Sequence, residues 1–102
     1  MNDIAFKNDV FRCFGPSQSL PGRCVMTQGV GALPDREALV EKVRSFNAFE
    51  DDCHQHDFGS FEHEEQTLFW KIDLYSDSTC RYGAEPDAEA YRVLTVMLAE
   101  EY

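Results

Sequence analysis

Between residues 66 and 75 the chain alternates: Leu68, Trp70, Ile72 and Leu74 interleave with Phe69, Lys71, Asp73 and Tyr75. A repeat of two is the pattern of a strand with one buried face. Together with the residues before it, "DFGSFEHEEQTLFWKIDLYS" reads as a β-hairpin that turns near Glu64-Glu65. A different period governs "PDREALVEKVRSFNAF", where Leu39, Val43 and Phe46 recur at i, i+4, i+7 and Arg36, Glu37, Glu41, Lys42 and Arg44 face outward. That spacing predicts an amphipathic helix. Near the N-terminus, Ile4, Val10, Phe11 and Phe14 predict a short helix over residues 2–13, capped by Asn2 or Asp3 and stopped by Gly15-Pro16. The breaker-rich "GPSQSLPG" is a loop, "RCVMTQGV" a β-type run, and "GALPD" a turn. After the loop "DSTCRYGAEPD", the segment "EPDAEAYRVLTVMLAEEY" predicts a closing helix, with Pro86 and Asp87 at its start and Ala90, Val93, Leu94, Met97 and Leu98 as its stripe.

The predicted order is α-β-α-β-β-α, an α+β domain. A small three-stranded, mainly antiparallel sheet with three helices on one face would bury these stripes. At 102 residues the chain has the length of a single acidic α+β domain with one core, and 43% hydrophobic and 13% aromatic residues give it a globular composition. No stretch approaches a membrane span and the first residues lack a leader pattern, so a soluble, cytoplasmic protein without a membrane partner is expected. Cys13, Cys24, Cys53 and Cys80 are spread singly, which in a reducing compartment means free thiols.

Charge changes the picture. The net charge is −10, and it is unevenly placed: residues 1–44 balance at +1 and residues 45–102 at −11. Direct binding to a nucleic-acid backbone requires the opposite sign, so attraction to a basic protein partner is expected instead. The focus is "EDDCHQHDFGSFEHEE" (50–65), which holds seven carboxylates and all three histidines with no lysine or arginine.

Three kinds of chemistry compete for that stretch. Cys53, His54, His56 and Asp57 are zinc-type ligands within five residues, and His63 would lie near His56 on the hairpin. There is only one such cluster and no second ligand pair, so exposed loop histidines are the plainer reading and no cofactor is expected. A His56-Asp57 pair facing Tyr75 or Asp73 would suit acid/base catalysis. Yet the chain has no G-x-S-x-G elbow and no glycine-rich phosphate loop, and "HDFG" lacks the other motifs of a kinase. The plainer reading is that His56-Asp57 fixes the loop at the start of the hairpin. The third possibility is the carboxylates themselves. Glu50, Asp51, Asp52, Asp57, Glu62, Glu64 and Glu65, with Glu100 and Glu101 at the far end, would form a continuous negative surface, and Phe69 and Tyr75 on the outer sheet face would add apolar anchors.

"NDVFR" (8–12), "TQGV" (27–30), "HDFG" (56–59), "WKIDLY" (70–75) and "RVLTVMLAEEY" (92–102) follow one another along the chain. This succession resembles a bacterial domain-of-unknown-function family with N-D-x-F-R, T-x-G-V, E-H-D-F-G, W-K-I-D-Y-Y and R-V-L-T-I-M-L-A-x-E-Y motifs. The resemblance implies a bacterial protein of plasmids and other mobile elements, and it supplies no activity or catalytic residues. Gln55 stands where the family has Glu and Leu74 where it has Tyr; Cys53 and His54 are not part of the pattern, whereas His56, Asp57 and Gly59 are.

The resulting expectation is a small acidic, non-enzymatic protein that inhibits a basic nucleic-acid-handling protein or nucleoprotein complex, of the anti-restriction or anti-CRISPR type, by nucleic-acid mimicry. Carboxylates at spacings like those of phosphates would supply the mimicry. The alternatives are a metal- or His/Asp-dependent small enzyme centred on His56 and Asp57, and a homodimer joined through the open sheet face.

Overall fold

A computed structural model describes residues 3–49, 53, 55–76, 80, 83 and 90–102. The elements are α1 (Asp3–Phe14), β1 (Gly22–Met26), a single helical turn α2 (Gln28–Gly31), α3 (Arg36–Arg44), β2 (Phe58–His63), β3 (Gln66–Tyr75), β4 (Tyr91–Leu98) and a terminal 3-10 turn (Ala99–Glu101). The sheet has four strands in the order β1-β4-β3-β2. It is mixed: β1 runs parallel to β4, while β3 is antiparallel to both β4 and β2.

This corrects the expected fold class. The sheet is four-stranded and mixed rather than three-stranded and mainly antiparallel, and the order α-β-α-β-β-α does not hold. The largest difference is the C-terminus, where the segment expected as a helix is the central strand β4. Arg92, Val93, Leu94, Val96 and Met97 are all buried, on both faces of the sheet. A strand covered on both sides has no polar alternation, and its apolar run satisfies helical spacing by accident. Tyr91, Val93, Thr95 and Val96 carry the β preference that distinguishes the two readings. Pro86 and Asp87 lie outside the described residues. The other correction is local: β1 ends at Met26, and Gln28–Gly31 coil into α2 instead of prolonging the strand.

The β2–β3 hairpin follows its alternation. His63 pairs with Gln66, leaving Glu64 and Glu65 as the two-residue turn. Leu68, Trp70 and Ile72 are buried on the face beneath the helices, where Leu94 and Val96 lie in register beside them. α1 contributes Phe11 to this core, and α3 contributes Leu39 and Val43. Gly59 of β2 has to be glycine, because a Cβ there would overlap the Trp70 indole and sit 2.6 Å from the Phe46 ring. On the opposite face stand Phe58, Ser60 and Glu62 of β2 with Thr67, Phe69, Lys71, Asp73 and Tyr75 of β3. No helix among the described residues is long and apolar enough to cross a membrane.

Candidate functional site

Two groups of polar residues lie on opposite faces of the sheet. The first sits where α1 meets α3. Arg12 projects from the last turn of α1 into the core and is only 6% exposed. Its Nε donates to the Val43 carbonyl at 2.9 Å and one terminal nitrogen donates to the Phe46 carbonyl at 2.9 Å, so it adds charged donors at the C-terminal end of α3, where the Val43 carbonyl also accepts from Phe46 N–H at 3.4 Å. The other terminal nitrogen donates to Asp9 Oδ1 at 3.0 Å. The guanidinium also lies over two rings, 4.8 Å from the Trp70 centroid and 5.3 Å from that of Phe49.

Asp9 is shared. Both of its carboxylate oxygens are 3.1 Å from His56 Nδ1, and the His56 ring stacks on Phe49 at 3.8 Å with an interplanar angle of 6°. His56 adopts φ of 52°, which turns the backbone so that the ring folds back onto α1. Immediately before Asp9, the fully buried Asn8 donates to the Gln55 carbonyl at 3.0 Å and accepts from Arg92 Nε at 2.8 Å. Asn8, Asp9 and Arg12 thus tie α1 to α3, to the loop before β2, and to β4.

This geometry decides how His56 and Asp57 are arranged. The carboxylate oriented on His56 is that of Asp9, while Asp57 accepts a 3.7 Å contact from Cys53 Sγ and its carbonyl accepts from Ile72 N–H at 2.9 Å. No serine, threonine or cysteine side chain hydrogen-bonds His56 among the described residues. Nor do any three His, Cys, Asp or Glu side chains there form a group able to hold a metal. His63 is far from free: it is buried, Nε2 donates to the Pro34 carbonyl at 2.9 Å, and Nδ1 then accepts from Lys42 Nζ at 3.2 Å. His54 lies outside the described residues, as do Glu50, Asp51 and Asp52.

The second group is the hairpin. Glu62, Glu64 and Glu65 are all exposed. Among the described residues, the ion pairs are Arg12–Asp9, His56–Asp9 and Lys71–Asp73, so none of these three carboxylates has a cationic partner. Among the described residues the Glu62 carboxylate accepts from the Thr67 hydroxyl, at 2.8 Å. The turn residues Glu64 and Glu65 have φ of 51° and 66°. A two-residue turn of this hand favours Asn-Gly, because glycine has no Cβ and the short amide of asparagine tolerates left-handed backbone better than glutamate does.

On the same open face as Glu62 is an aromatic cluster. Phe69 and Phe58 lie with ring centroids 5.1 Å apart, and Tyr102 packs edge-on against both at 5.6 and 6.1 Å. Tyr102 remains 77% exposed and Phe58 is also exposed. Phe69 thus shares a sheet face with Glu62, whereas Tyr75 lies at the far end of β3, opposite Tyr91. Six steps along the strand separate Phe69 from Tyr75, roughly 20 Å. Phe58 and Tyr102 were missed from sequence; Phe58 is the in-register face-mate of Lys71, and an alternation count begun at "DFGS" would have found it.

The C-terminus that carries Tyr102 is held by Glu101. Its carboxylate accepts from the Thr27 hydroxyl at 2.5 Å, from Leu98 N–H at 2.8 Å and from Gly29 N–H at 3.2 Å. The Thr27 hydroxyl, then the Leu98 and Gly29 amides, hold this carboxyl below the usual glutamate range. Farther along the face, Lys71 and Asp73 pair at 2.9 Å, and Asp73 raises the lysine.

A model of the family described as "Protein of unknown function (DUF3768)" matches residues 26–101. No curated protein and no solved structure matches the chain. That match covers most of the sequence, and the chain belongs to the DUF3768 family. Four of the segments that carried the resemblance begin within or fill the matched region, whereas Asn8, Asp9 and Arg12 precede it.

Proposed function

We propose that this member of the DUF3768 family is a non-enzymatic acidic binding protein of the bacterial cytoplasm. It docks on a basic nucleic-acid-handling protein and occupies the groove that would hold nucleic acid, as an anti-restriction or anti-CRISPR inhibitor from a mobile element would. The observation that carries this reading is the hairpin turn. Glu64 and Glu65 stand in left-handed backbone where asparagine and glycine cost least, and with Glu62 they leave three carboxylates without a cation among the described residues. A strained, uncompensated acidic turn is the kind of local cost that a binding surface explains and a solvated face does not.

The neighbouring Phe58, Phe69 and Tyr102 provide an apolar centre beside the charge, the arrangement of an anchored interface with a polar rim. Glu50, Asp51 and Asp52 extend the negative charge in sequence. Catalysis at His56 has less support, because that ring is engaged by Asp9 and stacked on Phe49. A purified basic nuclease or nucleoprotein target should bind the chain at low salt and release it at high salt, because exposed charges are screened within about 10 Å at 0.1 M. If the complex forms equally well after Glu62, Glu64 and Glu65 are replaced by lysine, the reading fails.

A further inference from the structure

The two edges of the sheet are closed differently. On β2, residues at odd positions bond to β3, and the outward carbonyl of Glu62 is capped by Lys42 Nζ at 3.0 Å. On the other side, β1 pairs only with β4 among the described residues. The Pro21 carbonyl accepts from Arg92 N–H at 3.0 Å and Thr27 N–H donates to the Val96 carbonyl at 3.1 Å. In a parallel ladder alternate residues face the partner strand, so Arg23 and Val25 also point their main-chain groups at β4. The N–H and C=O groups of Gly22, Cys24 and Met26 are left on the outer edge.

Beside that edge runs a groove of about 430 Å³ between the sheet, the end of α1 and α3. Met26, Leu94 and Val96 form its floor, with Val40 and the 79% exposed Phe14 on its walls. Its lining includes Arg12, Arg36 and Arg44 and no carboxylate, a local reversal of sign in a chain of net charge −10. Arg12 is engaged inside the protein, whereas Arg36 and Arg44 are exposed at opposite ends of α3.

We propose that this edge binds an extended acidic peptide, added as a fifth strand outside β1. The peptide main chain pairs with Gly22, Cys24 and Met26, and its pattern is acid-x-apolar-x-acid. Residues i, i+2 and i+4 of a strand share one face, so the apolar residue enters the groove and the two acids flank it. The eight steps from Arg36 to Arg44 rise about 12 Å along α3, close to the roughly 13 Å from i to i+4 of a strand, so the two acids are spaced as the two arginines are. A second copy fits less well, since two β1 edges would bring like-charged arginines together. The surface is separate from the acidic hairpin, and each can fail without the other.

The test uses the full chain and a labelled peptide, acetyl-Thr-Glu-Thr-Val-Thr-Glu-Thr amide, followed by fluorescence anisotropy at low and high salt. Binding should saturate, weaken with salt, and fall roughly tenfold in the Arg36→Gln/Arg44→Gln chain, as for the loss of two exposed ion pairs. Arg44 also donates to the Cys13 carbonyl at 2.8 Å, whereas Arg36 makes only a local 3.4 Å contact with the Gly31 carbonyl among the described residues, so Arg36→Gln alone, which should lose a smaller share of affinity, guards against misfolding. Two N-methylated peptides, each blocking one alternate set of amides, read out the ladder: one should lose binding and the other keep it. The proposal is overturned if the parent peptide does not saturate, if a lysine-for-glutamate peptide binds as well, or if both methylated peptides bind like the parent. It is equally overturned if sedimentation shows a dimer that the peptide dissociates, because a second copy then holds the edge.

Discussion

Asn8 and Arg12, at the seam between α1 and α3, engage backbone carbonyls and side chains drawn from Val43 to Arg92 and are almost wholly buried. Glu62, Glu64 and Glu65, at the hairpin, are exposed, and among the described residues their carboxylates share one hydroxyl donor. Both regions are rich in charge, yet removal should have opposite consequences. A buried polar group without its partner is costly, so the seam is committed to the fold. An exposed carboxylate in strained backbone contributes little to the fold and is free to act on something else.

The sharpest way to break this contrast is Arg12→Met. It leaves Asp9 without its arginine and removes the guanidinium donors from the Val43 and Phe46 carbonyls, and urea unfolding should register a loss of about 3 kcal/mol. Arg12→Lys should recover little of this, because a single ammonium cannot reproduce the guanidinium's three-way fork. Next in size is Gly59→Ala, whose new Cβ overlaps the Trp70 ring; overpacking of this kind should cost about 2 kcal/mol in the same measurement.

The hairpin should respond with the other sign. Replacing Glu64-Glu65 by Asn-Gly relieves the left-handed backbone and should raise stability by about 1 kcal/mol, while weakening any partner that reads the carboxylates. A loss of stability on this change would remove the argument from strain.

Acidification separates the regions further. Glu101 has a folded pKa below its unfolded value, so its contribution is present above the usual glutamate range and is lost as pH falls through the folded pKa. The Tm of Glu101→Gln should therefore lie below that of the parent at neutral pH and converge with it in acid. The smallest effect belongs to Glu62→Lys/Glu64→Lys/Glu65→Lys, whose stability should stay within about 0.5 kcal/mol of the parent in urea, because no packed contact is lost.

The same division explains what could be read in the chain. The face holding Leu68, Trp70 and Ile72, and the turn at Glu64-Glu65, follow from a period of two in a hairpin with one covered face. β4 was not legible, because Arg92, Leu94 and Val96 are buried on one face while Val93 and Met97 are buried on the other. The parallel β1–β4 pairing joins residues about seventy apart, and nothing local to Gly22–Met26 announces it. His56 and Asp57 stood out as neighbours in sequence, but the imidazole's carboxylate is Asp9, 47 residues away. Tyr102 joins Phe58 and Phe69 only because Glu101 fastens the chain end to Thr27 and Gly29. Exposed carboxylates, by contrast, need no partner to be seen in the sequence, and Glu62, Glu64 and Glu65 are exposed on the hairpin.

Affinity capture with the tagged chain and its Glu62→Lys/Glu64→Lys/Glu65→Lys variant, each eluted from low to high salt and identified by mass spectrometry, tests the central claim most directly. The parent chain should retain a basic nucleic-acid-handling protein at low salt and release it at high salt, and the equally stable variant should retain none. Retention of the same protein by both chains, or of no such protein by the parent, would contradict it.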